Sequence, residues 1–333
     1  MEVFANLFVA AILAGTPLLF GTIGEILTEK SGNLNLGVEG LMYMGAIAGL
    51  AGVYFVEQYS GALSSPALVL GLALLCSFCF GALGSLIYGF LTITLRANQN
   101  VTGLTLTIFG TGFGNFFGSL LGSNSESTYM TISTTARNAF ANAPLFPALA
   151  QAEVGSFLYY VNKMFLSYNW LVYFGIVLAL FLTWFLNRTR AGLNLRAVGE
   201  DPATADAAGI PVNRYKYLAT VIGGGICGIG GMYISMVTSN GVWVYNCVNG
   251  RGWIAVALVI FAMWSPSLAI FGGVVFGGLS ILRMYFPLGI AMELYDLLPY
   301  VATILVLVIT SIRQNKSHAM PKHCGLNYFR EER

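Results

Sequence analysis

The sequence predicts an all-α polytopic membrane protein: about nine transmembrane segments in two pseudo-symmetric halves, with broken helices. Three observations carry this expectation. Apolar residues make up 56% of the 333-residue chain, charged residues 9%, and the mean hydropathy is +0.73. A hydrocarbon layer of about 30 Å needs about 20 apolar residues per helix, and runs of that kind recur along nearly the whole chain. The alternating ten-residue segments of a membrane barrel are not visible.

Taken in order, the spans fall at about 4–24, 41–57, 67–93, 101–122, 169–187, 215–237, 252–264, 267–284 and 290–312. The first lacks a basic leading region and continues into further spans, so it reads as a span and not a cleavable signal. Polar breaks at 30–40 and 96–103 punctuate the first four. The seventh is short for a crossing and is expected to be partly buried in protein. The chain divides into a first transmembrane repeat (1–122), an extracytoplasmic loop (123–168), a second repeat (169–312) and a cytoplasmic tail (313–333).

Basic residues set the expected orientation. Arg188, Arg190, Arg196, Arg214 and Lys216 lie between the fifth and sixth spans; Arg313, Lys316, Lys322, Arg330 and Arg333 follow the last. Both regions are expected in the cytoplasm, and the even number of spans between them agrees. Counting back puts Lys30 and Arg96 inside as well, with the 123–168 loop and the N-terminus outside.

The insert between the fifth and sixth spans is the most informative stretch. Residues 188–216 read RTRAGLNLRAVGEDPATADAAGIPVNRYK, and a charged connection of this length must face water. Within it, Asp201 suits an N-cap, Pro202 the first helical position and Ala203 to Ala208 a helix. Gly209 suits a left-handed C-terminal residue, and Pro211 stops continuation. A rigid helix held between two spans can receive a push from a motor protein.

Three polar clusters interrupt the apolar pattern: Lys30 to Gly40, Arg96 to Gly103 and Tyr245 to Trp253. Each can be an aqueous turn rich in Asn and Gly. The first and third also resemble each other, since Asn35, Gly37 and Gly40, like Asn249, Gly250 and Gly252, precede an apolar run. Matching interruptions in two halves point to a central transport site, and polar groups at membrane depth tend to mark a pathway. Glu39 and Arg251 hold corresponding places, so either they neutralise each other or each pairs locally. Trp243, Tyr245 and Trp253 suit stacking on a base or interfacial anchoring.

Other chemistries find little support. The glycines at 223, 224, 225, 228, 230 and 231 lie in an apolar span and read as helix packing; no phosphate-binding GxxxxGK[ST] loop occurs. Cys76 and Cys79 have CxxC spacing inside an apolar run, and Cys227, Cys247 and Cys324 show no disulfide or metal pattern, so no metal or cofactor is expected. His318 and His323 both fall in the tail, away from any enzymatic motif. With a net charge of +2, no nucleic-acid partner is expected. An ion-coupled secondary transporter would place carboxylates mid-span, with Glu25, Glu39, Glu293 and Asp296 as candidates.

The segments GEILTEKSGNLNLGVEGLMYMGA, LRANQNVTG, AVGEDPATADAAGIPVNRYKYLAT and NGRGWIAVALVIFAMWSP together resemble the membrane subunits of bacterial ABC importers. The branch is that of simple-sugar, branched-chain amino acid and nucleoside permeases, and the SGNLNLGVEG form looks most like the shorter permease of nucleoside-type importers. The resemblance runs from about residue 15 to 312. It implies a permease of the bacterial inner membrane that is not itself an enzyme. The implied partners are a separate ABC ATPase subunit, a second, non-identical permease, and a substrate-binding lipoprotein or periplasmic receptor. Residues Glu200, Asp201, Pro202, Ala205 and Gly209 of the 188–214 loop would form the ATPase-coupling helix. The substrate pathway would run past Asn33, Asn35, Glu39, Asn98, Gln99, Asn100, Asn249, Arg251 and Trp253. Nucleosides are the first expectation for the substrate, followed by simple sugars and a base-containing vitamin such as riboflavin.

Overall fold

Long apolar helices form wherever the chain offers about 20 uncharged residues, and they stop at the Asn- and Gly-rich breaks. The computed structural model describes residues 2–60, 65–123, 129–145, 156–286, 292–313 and 320–330. The helices are α1 (Glu2–Glu29), α2 (Val38–Ser60), α3 (Pro66–Gly89), α4 (Gln99–Ser123), α5 (Thr134–Asn138), α6 (Phe157–Val161) and α7 (Trp170–Arg188). They continue with α8 (Arg190–Glu200), α9 (Pro202–Ala207), α10 (Val212–Tyr233), α11 (Arg251–Phe261), α12 (Pro266–Tyr285) and α13 (Met292–Arg313). Single π-helical turns extend α3 over Phe90–Thr94 and α10 over Ile234–Thr238. Both turns sit immediately before a polar break, where such turns often mark function.

Six described helices are long and apolar enough to cross a membrane, and three shorter apolar stretches lie at Arg251–Phe261, Pro266–Leu282 and Leu297–Val306. These coincide with the nine expected segments, and the chain is a multi-pass α-helical membrane protein. α2 and α10 form its centre: 78% and 83% of their apolar windows are buried, against 28% for α3 and α4.

Small residues permit this density, because a membrane interior offers no hydrophobic driving force between helices and close backbone approach must supply the contact. Gly45 abuts Gly228, Gly24 abuts Gly223, Gly81 abuts Gly224, and Gly15 and Gly277 bring α1 against α12. A Cβ on Gly231 would overlap the Met42 carbonyl, while one on Gly71 would meet nothing within 4 Å. Gly231→Val is therefore expected to abolish recovery of folded protein from detergent. Gly71→Ala should match or exceed wild-type thermal stability, by up to about 1 kcal/mol from helix propensity. Thermal unfolding followed by size-exclusion chromatography checks both.

The seventh segment departs most from a simple span. After α10 the chain turns back at 239–250 without helix, and α11 then completes the crossing. The direction is fixed by contacts with α1: Thr22 Oγ1 donates to the Ala255 carbonyl at 3.0 Å, and Trp264 Nε1 donates to the Glu29 carboxylate. α11 thus runs parallel to α1. Its depth is fixed by α4, where Gly110 abuts Gly40, Gly114 abuts Tyr43 and Gly118 abuts Trp243. Gly110 lies roughly 16 Å along an α4 axis of roughly 37 Å at a 1.5 Å rise per residue, so α11 begins near the middle of the helical layer.

Candidate functional site

The returning segment is held in an unusual backbone conformation. Asn240, Gly241, Asn246, Asn249 and Gly250 all have positive φ, between 48° and 81°. Outside glycine this region is uncommon, and asparagine is among the residues that tolerate it best. Asn at 240, 246 and 249 is thus a conformational choice as well as a polar one. Two spans clamp the segment: Tyr43 of α2 donates from its hydroxyl to Asn246 Oδ1 at 2.9 Å and accepts from the Asn249 amide at 3.3 Å. Asn115 of α4 accepts from the Asn246 amide at 3.1 Å. At the turn after α10, Trp243 N donates to the Met130 carbonyl at 2.9 Å and Ile132 N to the Gly241 carbonyl at 3.1 Å, so the 129–138 connection braces the returning segment. Glu57 anchors that brace through the amide and hydroxyl of Ser133.

Glu39 closes the site from below. Its carboxylate accepts from Gly250 N at 2.8 Å and Gly252 N at 2.6 Å. These are the unsatisfied amides at the N-terminus of α11, where the helix dipole also favours negative charge. Arg251 turns away and donates to the Cys247 carbonyl at 2.9 Å. The two residues are brought together, but not as an ion pair: Arg251 pairs locally, whereas Glu39 bonds across the fold to the amides on either side of Arg251. Gly252 is needed because α2 comes so close, and a Cβ there would overlap the Glu39 backbone. Gly252→Ala is expected to lower the thermal unfolding midpoint measurably, whereas a protein with room at that point would show no shift.

Around this capped start the surface is open. Tyr245 is 70% exposed, and Val244, Asn246 and Asn249 are also exposed. Trp243 is buried against Gly118, so it does not present a stacking face, while Trp253 is half-buried. Tyr43, Asn115 and Asn246 were not singled out from the sequence. Asn115 carried a readable signal, a lone amide inside the apolar run of α4.

The other expected pathway residues lie elsewhere. Asn33, Asn35 and Gln99 are buried at the end of the bundle that carries α8 and α9, where they fasten the α1–α2 crossover. Asn33 Nδ2 donates to Thr220 at 3.0 Å, Asn35 N to Glu25 at 2.9 Å and Leu34 N to Gln99 Oε1 at 2.7 Å. The Leu34 carbonyl accepts from Tyr88 at 2.6 Å. Asn98 accepts from Val101 N at 3.1 Å at the start of α4, and Asn100 is exposed. The first and second clusters therefore meet each other, and of the residues named here Glu39 alone carries the first cluster to the third. Glu25, a candidate for ion coupling, is buried and accepts from Asn35 N in this clamp; the side chains of Glu293 and Asp296, and residue His318, lie outside the described residues.

The 188–214 insert is two helices, not one. α8 was not expected; Thr189 caps it by accepting from Gly192 N at 3.0 Å. α9 has the expected ends. Asp201 Oδ1 accepts from Ala203 N and Thr204 N at 3.1 Å, and Pro202 opens the helix. Gly209 has φ +81°, with Gly209 N bonded to Asp206 O and Ile210 N to Ala205 O at 3.0 Å. Pro202 and Ala205 face inward, Ala205 packing with Val198 and Val212, while Asp201, Thr204, Ala207 and Gly209 face out. The bonds from Thr204, side chain first, hold the Asp201 carboxyl below its ordinary range. A depressed value means the cap is complete above about pH 4 and lost as acid protonates it.

The site is thus a non-helical segment that ends at mid-depth inside a multi-pass helical bundle. Residues 7–307 match the family described as the branched-chain amino acid transport system / permease component, and the chain belongs to that family. It is 36% identical, over 85% of its length and 78% of the relative's, to a putative glucose ABC transporter permease of Haloferax volcanii. It is 30% identical to the guanosine permease NupQ of Bacillus subtilis over its full length and 99% of that protein. It is also 30% identical to the nucleoside permease NupC of Lactococcus lactis over 96% of each.

Proposed function

We propose that the protein is the permease subunit of an ATP-driven importer, moving nucleosides by alternating access past the returning segment 239–250 and the start of α11. One observation carries this reading: Asn246 and Asn249 are exposed within an otherwise apolar layer, between the levels of Gly110 and Asn115 of α4. Exposed polar groups at that depth are costly against lipid and are tolerated where they line a water-filled or protein-walled path. A second permease facing this surface would complete the wall.

Neutral amides and hydroxyls suit a neutral polar solute, since they satisfy ribose hydroxyls and base edges without fixed charge. Tyr245 offers a face on which a base can stack. The α8–α9 unit receives the ATPase, and a receptor delivers substrate at the opposite face, beside the 129–138 brace. The division into repeats 1–122 and 169–312, the inner-membrane location and the cytoplasmic placement of α8–α9 and the tail belong to this proposal. The full-length similarity to NupQ and NupC favours nucleosides; similarity to a putative glucose permease makes simple sugars the second reading. Labelled guanosine uptake, competed with excess nucleosides, glucose or riboflavin, decides between them. Competition by nucleosides alone is expected; competition by glucose alone would overturn the nucleoside assignment and leave the sugar reading.

A further inference from the structure

Residues 320–330 do not trail away from the bundle. Pro321 and Cys324 are buried, and the segment bonds to two separate regions. On one side it holds the α8–α9 unit. His323 N donates to Gly199 O at 3.1 Å and Lys322 N to Glu200 Oε2 at 3.4 Å. Tyr328 donates its hydroxyl to Asp206 Oδ2 at 2.9 Å, and Arg330 Nε pairs with the same oxygen at 3.0 Å. On the other side it holds the start of α4. Gln99 Nε2 donates to Leu326 O at 3.1 Å and to Asn327 Oδ1 at 3.3 Å, and Asn327 Nδ2 donates to Arg96 O at 2.6 Å. The Arg96 guanidinium also lies 4.7 Å from the Phe329 ring centre, within cation–π range.

Gln99 is the junction, because the amide that binds the tail also accepts from Leu34 N at 2.7 Å. Five residues beyond Leu34, Glu39 caps α11. A continuous set of bonded groups thus links α9 to the mid-layer site through the tail, Gln99, the 34–38 turn and Glu39. Side-chain amides and a doubly bonded carboxylate make it directional, and burial of Gln99 at 2% exposure limits exchange with water.

We propose that residues 320–330 are a transmission strap: they carry movement of the α8–α9 unit to Gln99 and the α1–α2 crossover, so that ATP hydrolysis and substrate movement stay coupled. This rests on the reading of α8–α9 as the ATPase-facing unit. α8 also touches the crossover directly, where Gly199 meets the Lys30 carbonyl. The strap adds the link from α9 to α4.

The test uses the complete transporter, purified through this chain with its ATPase and receptor and reconstituted in vesicles with guanosine. ATP hydrolysis and guanosine uptake are measured on the same samples. Asn327→Ala removes its bonds to Gln99 and Arg96 at the α4 end, Tyr328→Phe with Arg330→Ala removes the bonds to Asp206 at the α9 end, and a chain ending at Ala319 removes the strap. Hydrolysis is expected to stay within about twofold of wild type while uptake per ATP falls about fivefold or more, the size of an ordinary coupling effect. Should the shortened chain fail to assemble, the two sets of point variants decide. Unchanged uptake per ATP, or hydrolysis and uptake lost in parallel, would overturn the strap. A wild-type complex with no ATP-driven uptake would count against the transporter reading itself, a distinct result.

Discussion

Glu39→Ala is expected to abolish uptake while the chain still reaches the membrane in reduced amount. The substitution strips acceptors from the Gly250 and Gly252 amides at a depth where water does not freely replace them. Losing a charge-assisted bond to a buried donor costs about 1.5–3 kcal/mol, and two are lost here. Glu39→Gln keeps the shape and one acceptor oxygen but loses the charge that favours the helix N-terminus, so partial activity, about a tenth of wild type, is expected. The exchange Glu39→Arg with Arg251→Glu should not recover activity, because the partner of Glu39 is backbone and Arg251 is bound to the Cys247 carbonyl. Recovery by the double exchange above either single variant would show that a direct charge pair operates during transport. Radiolabelled guanosine uptake, normalised to chain in the membrane, reads all five variants.

Unwinding α9 has the second largest expected effect. Asp201→Ala removes the cap, at about 1 kcal/mol. Gly209→Val forces a β-branched residue to φ +81°, a further cost on the order of 1–3 kcal/mol. Six residues cannot hold a helix without their ends, so the double variant should lose α9 while the apolar bundle persists. Uptake is expected to fall at least tenfold, and stimulation of ATP hydrolysis by the loaded receptor should fall with it. Unchanged stimulation would mean the ATPase engages another surface.

Much of this was legible from the chain because membrane and helix-end physics act locally. The apolar runs gave the spans to within a few residues, and Asp201, Pro202 and Gly209 are each in the conformations their side chains prefer. What was not legible has a common cause. Asn33, Asn35 and Gln99 carry the residue types of a pathway, and only tertiary contacts reveal that Thr220 and the tail bind the Asn33 and Gln99 amides while Asn35 is buried with its backbone N on Glu25 and its Oδ1 on Gly37 N. Glu39 and Arg251 are placed together by the resemblance of two breaks, yet local pattern cannot show that backbone amides would outcompete the guanidinium for the carboxylate. α8 escaped notice since its residues Arg190 to Glu200 read as a charged connection with two glycines, weak helix formers in isolation. The strap is invisible in sequence for the same reason: its partners lie more than 120 residues away.

The most direct measurement is guanosine uptake into vesicles holding the reconstituted transporter, with ATP supplied to the ATPase side and ion gradients collapsed by ionophore. Uptake that requires ATP and loaded receptor, and persists without any gradient, is the expected result. Uptake that continues without ATP and disappears when the gradient is collapsed would contradict the account and assign the chain to ion-coupled transport.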